Sequence, residues 1–244
     1  MERQFLDFSL LNQIKGLRHA VSLRHGGVSQ GPYASLNMGD NTGDNPVDVE
    51  KNQKRVFDTG GFLNVARLDQ VHGINIISTT KGGVFQGDAL ITQEKEVTLM
   101  IRHADCQAAI FYDKGKGQIA CVHAGWRGLV SNIYGEVVKA LNTDPKDILV
   151  AIAPSLGPKY AYYPEFPLKY RGFMEQPHHY NFWDLAEKQL EELGIQEIHI
   201  ERVCTYEHHK DYYSYRRDKE TGRHATLVML DKSFDKGNTS HIST

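Results

Sequence analysis

The sequence predicts an α/β fold, in the broad sense that includes α+β: one domain with a mixed β-sheet flanked by helices. Three observations predict it. Short runs rich in Ile, Val and Phe alternate with segments whose apolar residues recur at helical spacing. No Pro/Gly/Ser-rich linker, internal repeat or low-complexity stretch divides the 244 residues, so residues 1–244 read as a single domain. The composition, 40% apolar and 24% charged, is that of an ordinary soluble protein with enough apolar material for one substantial core.

The elements follow in order. The first third holds a short strand, HAVSLRHGG, and a loop rich in Gly, Asn and Asp, GPYASLNMGDNTGDNP. PVDVEKNQKRVFDTGG then reads as a helix, with Pro46 near its start and glycines after its end. Strand-like runs come next: LDQVH, INIIST, DALIT, VTLMIR, AAIFYD and QIACVH, separated by Gly or charged turns. After His123 the turn AGWRG leads into LVSNIYGEVVKALN, where Leu129, Ile133, Val137 and Leu141 recur at helical spacing. ILVAIAPSLG reads as a buried strand, and NFWDLAEKQLEELG as a helix closed by Gly194. IHIERVC and ATLVMLD complete the strands. The last residues, 235–244 (DKGNTSHIST), have the composition of a flexible, frayed terminus and include His241.

The formal net charge of −2, with Lys and Arg scattered, gives no electrostatic footprint for nucleic acid or an acidic membrane surface. No apolar run is long enough to span a bilayer, and MERQFLDFSLLNQIKG lacks a signal-peptide pattern. A cytoplasmic location is expected. Cys106, Cys121 and Cys204 are odd in number and form no C-x-x-C pair, which points to thiols or ligands rather than disulfides. The pairs His178–His179 and His208–His209 lie in polar, turn-like sequence and are expected to face solvent.

Three side chains invite chemistry: His72 in LDQVHG, Cys106 in HADC and His123 in VHAGWRG. Their wide spacing matches no structural zinc motif, in which ligands come in close pairs. It suits ligands delivered singly from the ends of three strands, giving an open site with a fourth position for water or substrate. Read alone, Cys106 could equally be a nucleophile with His123 as its base, or an inert core thiol. Small residues after His72 and His123 allow close approach to either. Cys121 lies two residues before His123, hence on the same strand face, and is expected to be a core cysteine. His103 and Asp105 flank Cys106, either lining the same mouth or solvated.

Arginines supply further candidates. Arg24 in SLRHGG could hold an anion by a bidentate contact, with Asn37 and the loop amides nearby, or belong to an ordinary surface loop. Arg127 begins the helix after His123, where anions are favoured. Arg216 and Arg217 stand beside tyrosines in YYSYRRDKETGRHA, which reads as a phosphate or base-stacking surface or as a strand with a charged turn.

At these residues the chain closely resembles the YfiH-like family, also called the laccase-domain or multicopper polyphenol oxidoreductase family. Its members are regarded as purine nucleoside phosphorylases with additional adenosine deaminase activity. The resemblance runs in order through RHGGVSQGPYASLNMG, NQKRV, LDQVHG, GDALIT, HADCQAAIFYD, VHAGWRGL, APSLGPKYAY, NFWDLAEKQLEELGI and CTYEHHKDYYSYRRDKETGRHATLVML, nearly the whole chain. It implies that His72, Cys106 and His123 bind zinc (copper being the other candidate metal) and carry catalysis. It implies one α/β domain similar to the catalytic domain of cytotoxic necrotizing factors. It also implies action on adenosine, inosine, guanosine and methylthioadenosine with phosphate, Arg24, Asn37, Arg127 and Arg216 contacting substrate. The chain departs from the family pattern at His103 and in YYPEFPLKYRGFMEQPHHY.

Two other functions compete. Two His and one Cys are also the trigonal set of blue-copper sites, which would suit phenol oxidation. However, no H-x-H pair occurs, and multicopper clusters are built from such pairs. A thiol hydrolase using Cys106 and His123, acting on an amide of a peptidoglycan precursor, is the other alternative. The zinc deaminases add a Glu in H-x-E together with P-C-x-x-C, and neither pattern is expected here. The expected partners are purine nucleosides and inorganic phosphate, with no nucleic acid and no membrane, and the chain is expected to be a monomer or weak homodimer.

Overall fold

The computed structural model describes residues 4–235. The tail read as flexible lies, from residue 236 on and with His241, outside the described residues. The described elements, in chain order, are β1 (Phe5–Leu6), α1 (Ser9–Asn12), β2 (Leu17–Ser22), α2 (Pro46–Gly60), β3 (Ala66–Asp69), β4 (Ile76–Ser78) and β5 (Gly83–Gln86). Then come β6 (Ala89–Thr92), β7 (Thr98–His103), β8 (Gln107–Asp113), β9 (Gln118–Ala124), α3 (Trp126–Val130), α4 (Ile133–Leu141) and β10 (Ile148–Ile152). The last are β11 (Met174–Gln176), β12 (His179–Tyr180), α5 (Phe182–Glu192), β13 (Glu197–Ile200), α6 (Tyr215–Asp218) and β14 (His224–Leu230).

The α/β class expected from the sequence holds, but the strands divide into two mixed six-stranded sheets rather than one. The first runs β1-β2-β14-β7-β3-β5 and the second β13-β10-β8-β9-β6-β4, beside a small β11-β12 hairpin. Each is antiparallel through most of its width and parallel towards an edge, at β7-β3-β5, β13-β10 and β6-β4.

Side-chain alternation explains how the sheets stack. Successive residues of a strand point to opposite faces. On β7, Leu99 and Ile101 join a core shared with Ala108, Ile110 and Tyr112 of β8 and Ile119 and Cys121 of β9, so this layer lies between the sheets. Met100 points the other way, packing with Leu227 and Met229 of β14 and Val56 of α2. Ala109, Phe111, Ala120 and Val122 face outward from the second sheet onto Ile133 and Val137 of α4 and Leu185 and Leu190 of α5. The result is four layers: α2, sheet, sheet, then α4 with α5. Strands such as β8 and β9 are covered on both faces, which is why every residue of them is buried.

The helix ends follow local rules. Asn45 caps α2 through its side chain and Gly61 closes it in the left-handed region at φ 64°. The continuous helix read after His123 is in fact two, α3 and α4. Asn132 stands between them at φ 58°, its side chain accepting the Gly135 N–H. The stretch read around Arg216 as a phosphate or stacking surface, or as a strand with a charged turn, contains the single-turn helix α6, capped by Ser214.

Candidate metal centre

The layer between the sheets is apolar along most of its length and turns polar at one end. His123 of β9 has the same parity as Ile119 and Cys121 and so enters that layer from the second sheet. His103 of β7 has the parity of Leu99 and Ile101 and enters it from the first. Their neighbour across the first sheet is His224, directly opposite His103 in register. Cys121 is fully buried core, as its position suggested, and burial pushes its thiol up. His178, His208 and His209 are exposed, while His179 is half-buried.

His72 and Cys106 come to His123 from two tight turns. His72 lies just beyond β3, not on its end, at φ 59° in the left-handed region. Such a backbone costs of order 1 kcal/mol and needs holding in place. Asp88, at the start of β6 and fully buried, does the holding. Its Oδ1 accepts the His72 N–H at 2.9 Å and its Oδ2 the Gly73 N–H at 2.7 Å. The same Oδ1 lies 2.8 Å from His123 Nδ1, and the His123 backbone N–H donates to the Asp88 carbonyl at 2.7 Å. One carboxylate thus fixes two of the three groups. Burial opposes its charge, but the hydrogen bonds from His123 and Gly73 outweigh that and keep it below the usual carboxylate range.

Cys106 sits in the turn between β7 and β8, after Asp105 at φ 92°. Asp105 is anchored in turn, accepting from Thr205 Oγ1 at 2.7 Å and from the Arg216 N–H at 2.5 Å. One ligand atom each from His72, Cys106 and His123 lie within 4.8 Å of one another. The two imidazoles meet edge to face, centroids 4.8 Å apart. Gly125 makes room: a Cβ there would stand 3.0 Å from His72 and 3.4 Å from the Cys106 sulfur. Burial disfavours a charged thiol, yet His123 and His72 outweigh it and lower the Cys106 pKa. Burial likewise disfavours a charged His123, and Cys106 followed by Asp88 raises it.

These residues fit a metal. Two nitrogens and a thiolate form an open three-ligand set with a fourth position free. Asp88 engages His123 Nδ1 and leaves Nε2 for coordination, the carboxylate–histidine arrangement that orients metal-binding imidazoles. His72 is exposed, Cys106 half-buried and His123 buried, so the group faces a cavity rather than a closed core. That cavity has a volume of about 630 Å³, and its wall includes Arg102, His103, Tyr215 and Arg223. His103, with 2% exposure, places Nε2 2.9 Å from Thr226 Oγ1, while its Nδ1 has no hydrogen-bond partner among the described residues.

The other expected site residues sit differently. Asn37 is buried and holds its own loop together, bonding Gly39, Thr42, Asp44 and the Arg223 N–H. Arg216 reaches the centre through its backbone alone; its guanidinium donates to the Tyr162 carbonyl and covers Tyr163. Arg24 donates to the carbonyls of Ala34 and His209 and lines a separate cavity with Arg217 and Glu220. Arg127 is exposed, stacked over Trp126. An H-x-E does occur, at His199–Glu201 on and after β13, but its two side chains pair with each other away from the His72 group. Sequence reading missed Asp88, Arg102 and Arg223. Asp88 alone left a trace, an acidic residue after Gly87 at the head of an apolar strand.

Known proteins match this chain along nearly its full length. The family described as multi-copper polyphenol oxidoreductase laccase matches residues 18–231. A Shigella flexneri protein named purine nucleoside phosphorylase YfiH is 33% identical over 231 residues, covering 88% of this chain and 95% of that one. The Escherichia coli protein of the same name is 33% identical over 233 residues, 89% of this chain and 96% of its own. Among solved structures, a Neisseria meningitidis protein superposes with TM-score 0.84 at 29% identity, covering 94% of this chain and all of that one. YlmD from Geobacillus stearothermophilus superposes with TM-score 0.82 at 28% identity, over 95% of this chain and 98% of its own.

Proposed function

This chain belongs to the multi-copper polyphenol oxidoreductase laccase family, with relatives named purine nucleoside phosphorylase YfiH, and on that premise we propose that it is a metal-dependent purine nucleoside phosphorylase. The substrates in this reading are adenosine, inosine, guanosine and methylthioadenosine with inorganic phosphate, and a slower deamination of adenosine accompanies phosphorolysis. The metal is zinc, with copper the alternative. The observation that carries the reading is the open His72–Cys106–His123 group at the wall of a cavity large enough for a nucleoside.

In this reading phosphate attacks the anomeric carbon of the ribose and the purine leaves. His72, Cys106 and His123 would hold the zinc, which would act as a Lewis acid toward an oxygen or nitrogen of the substrate. The chain's own contribution is placement. Asp88 locks His123 in one tautomer and keeps the strained His72 turn from relaxing. Asp105 does the same for the Cys106 turn through Thr205 and the Arg216 N–H. Both sheets converge here, so His123 sits on a rigid strand while His72 and Cys106 are held on short turns that their carboxylate anchors fix.

The lowered Cys106 thiol beside His123 also supports a second reading, a thiol hydrolase acting on an amide, including one in a peptidoglycan precursor. Alkylation separates the two. A ligand cysteine is protected from iodoacetamide while zinc is bound, and a nucleophile is inactivated whether or not metal is present. The activity itself is tested by incubating the purified protein with adenosine, with and without phosphate. Adenine and ribose 1-phosphate should form only when phosphate is present. Turnover to inosine alone, independent of phosphate, would rule out phosphorolysis as the main reaction.

A further inference from the structure

Two guanidinium groups line the metal cavity, and their surroundings differ. Arg102 is neutralised: its Nη1 lies 2.6 Å from Asp40 Oδ2, and its Nη2 donates to the Leu68 carbonyl at 2.7 Å. Arg223 has no carboxylate partner among the described residues. Its Nη1 donates to the carbonyls of Thr221 and Gly222, while Nε and Nη2 have no acceptor among those residues. The side chain is only partly exposed. A cation withdrawn from water without a counterion is costly, and proteins seldom keep one unless something anionic completes the site.

What touches Arg223 holds it without a salt bridge to a described carboxylate, although Asp105 and Cys106 both attract its charge. Asn37 Oδ1 accepts the Arg223 backbone N–H at 2.8 Å. The aliphatic stem lies against Gly39, where a Cβ would come within 2.6 Å of Arg223 Cγ. The Tyr215 ring centroid is 5.6 Å from the guanidinium carbon. A fork is therefore fixed in place in the same cavity as Cys106 and His123, with two of its nitrogens unused.

We propose that Arg223 is the anion subsite of this cavity, receiving a tetrahedral oxyanion through Nε and Nη2, with Asn37 and Gly39 as the residues that position it. The paired donors of a guanidinium edge match two oxygens of such an anion. Naming that anion inorganic phosphate rests on the phosphorolytic reading; the subsite itself does not.

The test measures binding rather than turnover. Radiolabelled inorganic phosphate is equilibrated by dialysis with the zinc-loaded wild-type protein and with the Arg223→Gln and Arg223→Lys variants, and zinc is measured in the same samples. The wild type should bind phosphate stoichiometrically. Arg223→Gln should weaken it by about tenfold or more with zinc content unchanged, and Arg223→Lys should fall between, keeping the charge but not the fork. Equal affinity in wild type and Arg223→Gln, or no phosphate binding by the wild type, overturns the subsite. If Arg223→Gln does not fold, unchanged affinity in Arg223→Lys overturns it instead. Phosphate binding by a wild type that cleaves no nucleoside upholds the subsite and refutes the phosphorolytic reading.

Discussion

Asp88 joins the backbone turn of one candidate ligand to the imidazole of another, and its burial makes both links strong. An Asp88→Asn substitution keeps the volume but removes the charge and replaces one acceptor oxygen by a donor, so with its oxygen on His123 and the His72 N–H the amide group faces the Gly73 N–H and the turn loses that bond. Zinc affinity, measured by competition with a chromophoric chelator, should fall roughly 10- to 100-fold. An unchanged affinity would mean that the ligands are placed without it. The three candidate ligands were legible in the sequence, because His and Cys are chemically distinctive, small residues follow both histidines, and all three lie in the motifs that carry the family resemblance. Asp88, Arg102 and Arg223 were not. Aspartate and arginine are common, and what sets these three apart is burial and partnership across sheets, which no local pattern encodes. Arg24 attracted notice before a glycine turn and Arg127 at the start of a helix, yet one is spent on loop carbonyls and the other lies exposed on Trp126.

At the scale of elements, α2 was read within a residue because a proline near its start and glycines at its end mark both ends. The helix after His123 was read as one because its apolar spacing runs on through the break. The interruption depends on Asn132 alone, which combines a positive φ with an N-cap to Gly135. Asn132→Ala loses the cap and strains the backbone, and should cost about 1–2 kcal/mol in urea unfolding; Asn132→Gly tolerates the φ and should cost only a few tenths. Equal losses from both would mean that the left-handed backbone is not what the asparagine supplies. The edge strand β5 and the β11-β12 hairpin went unread, being short and largely exposed, without the apolar run that marks a buried strand. The division into two sheets was also hidden. Strands buried on both faces read as continuous apolar runs, which do not say which sheet they join.

For the whole molecule, the polar end of the layer between the sheets has a consequence for acid stability. His224 accepts the Tyr213 N–H at Nε2, so its proton sits on Nδ1 and donates to the Ser22 carbonyl. Burial lowers its pKa from 6.5 to about 3, and burial followed by the nearby His224 and His123 lowers that of His103. The folded protein therefore binds fewer protons than the unfolded chain below pH 6.5. The stability these histidines contribute is fully present above that pH and is lost as pH falls towards 3. The urea midpoint should drop as pH is lowered from 7 to about 5, and the His224→Gln variant should show a shallower drop. A variant with the full wild-type slope would exclude His224 as a source.

That same polar end holds the His72–Cys106–His123 group, on whose bound metal the proposed catalysis depends. The most direct measurement strips the protein with a chelator, adds zinc back in substoichiometric steps, and follows phosphate-dependent release of purine base against bound metal. Activity should rise in proportion to zinc until each chain holds a single ion, and Cys106→Ala should neither retain zinc nor turn over. Full turnover by the metal-free protein, or a Cys106→Ala variant that binds zinc stoichiometrically and remains active, would contradict the account.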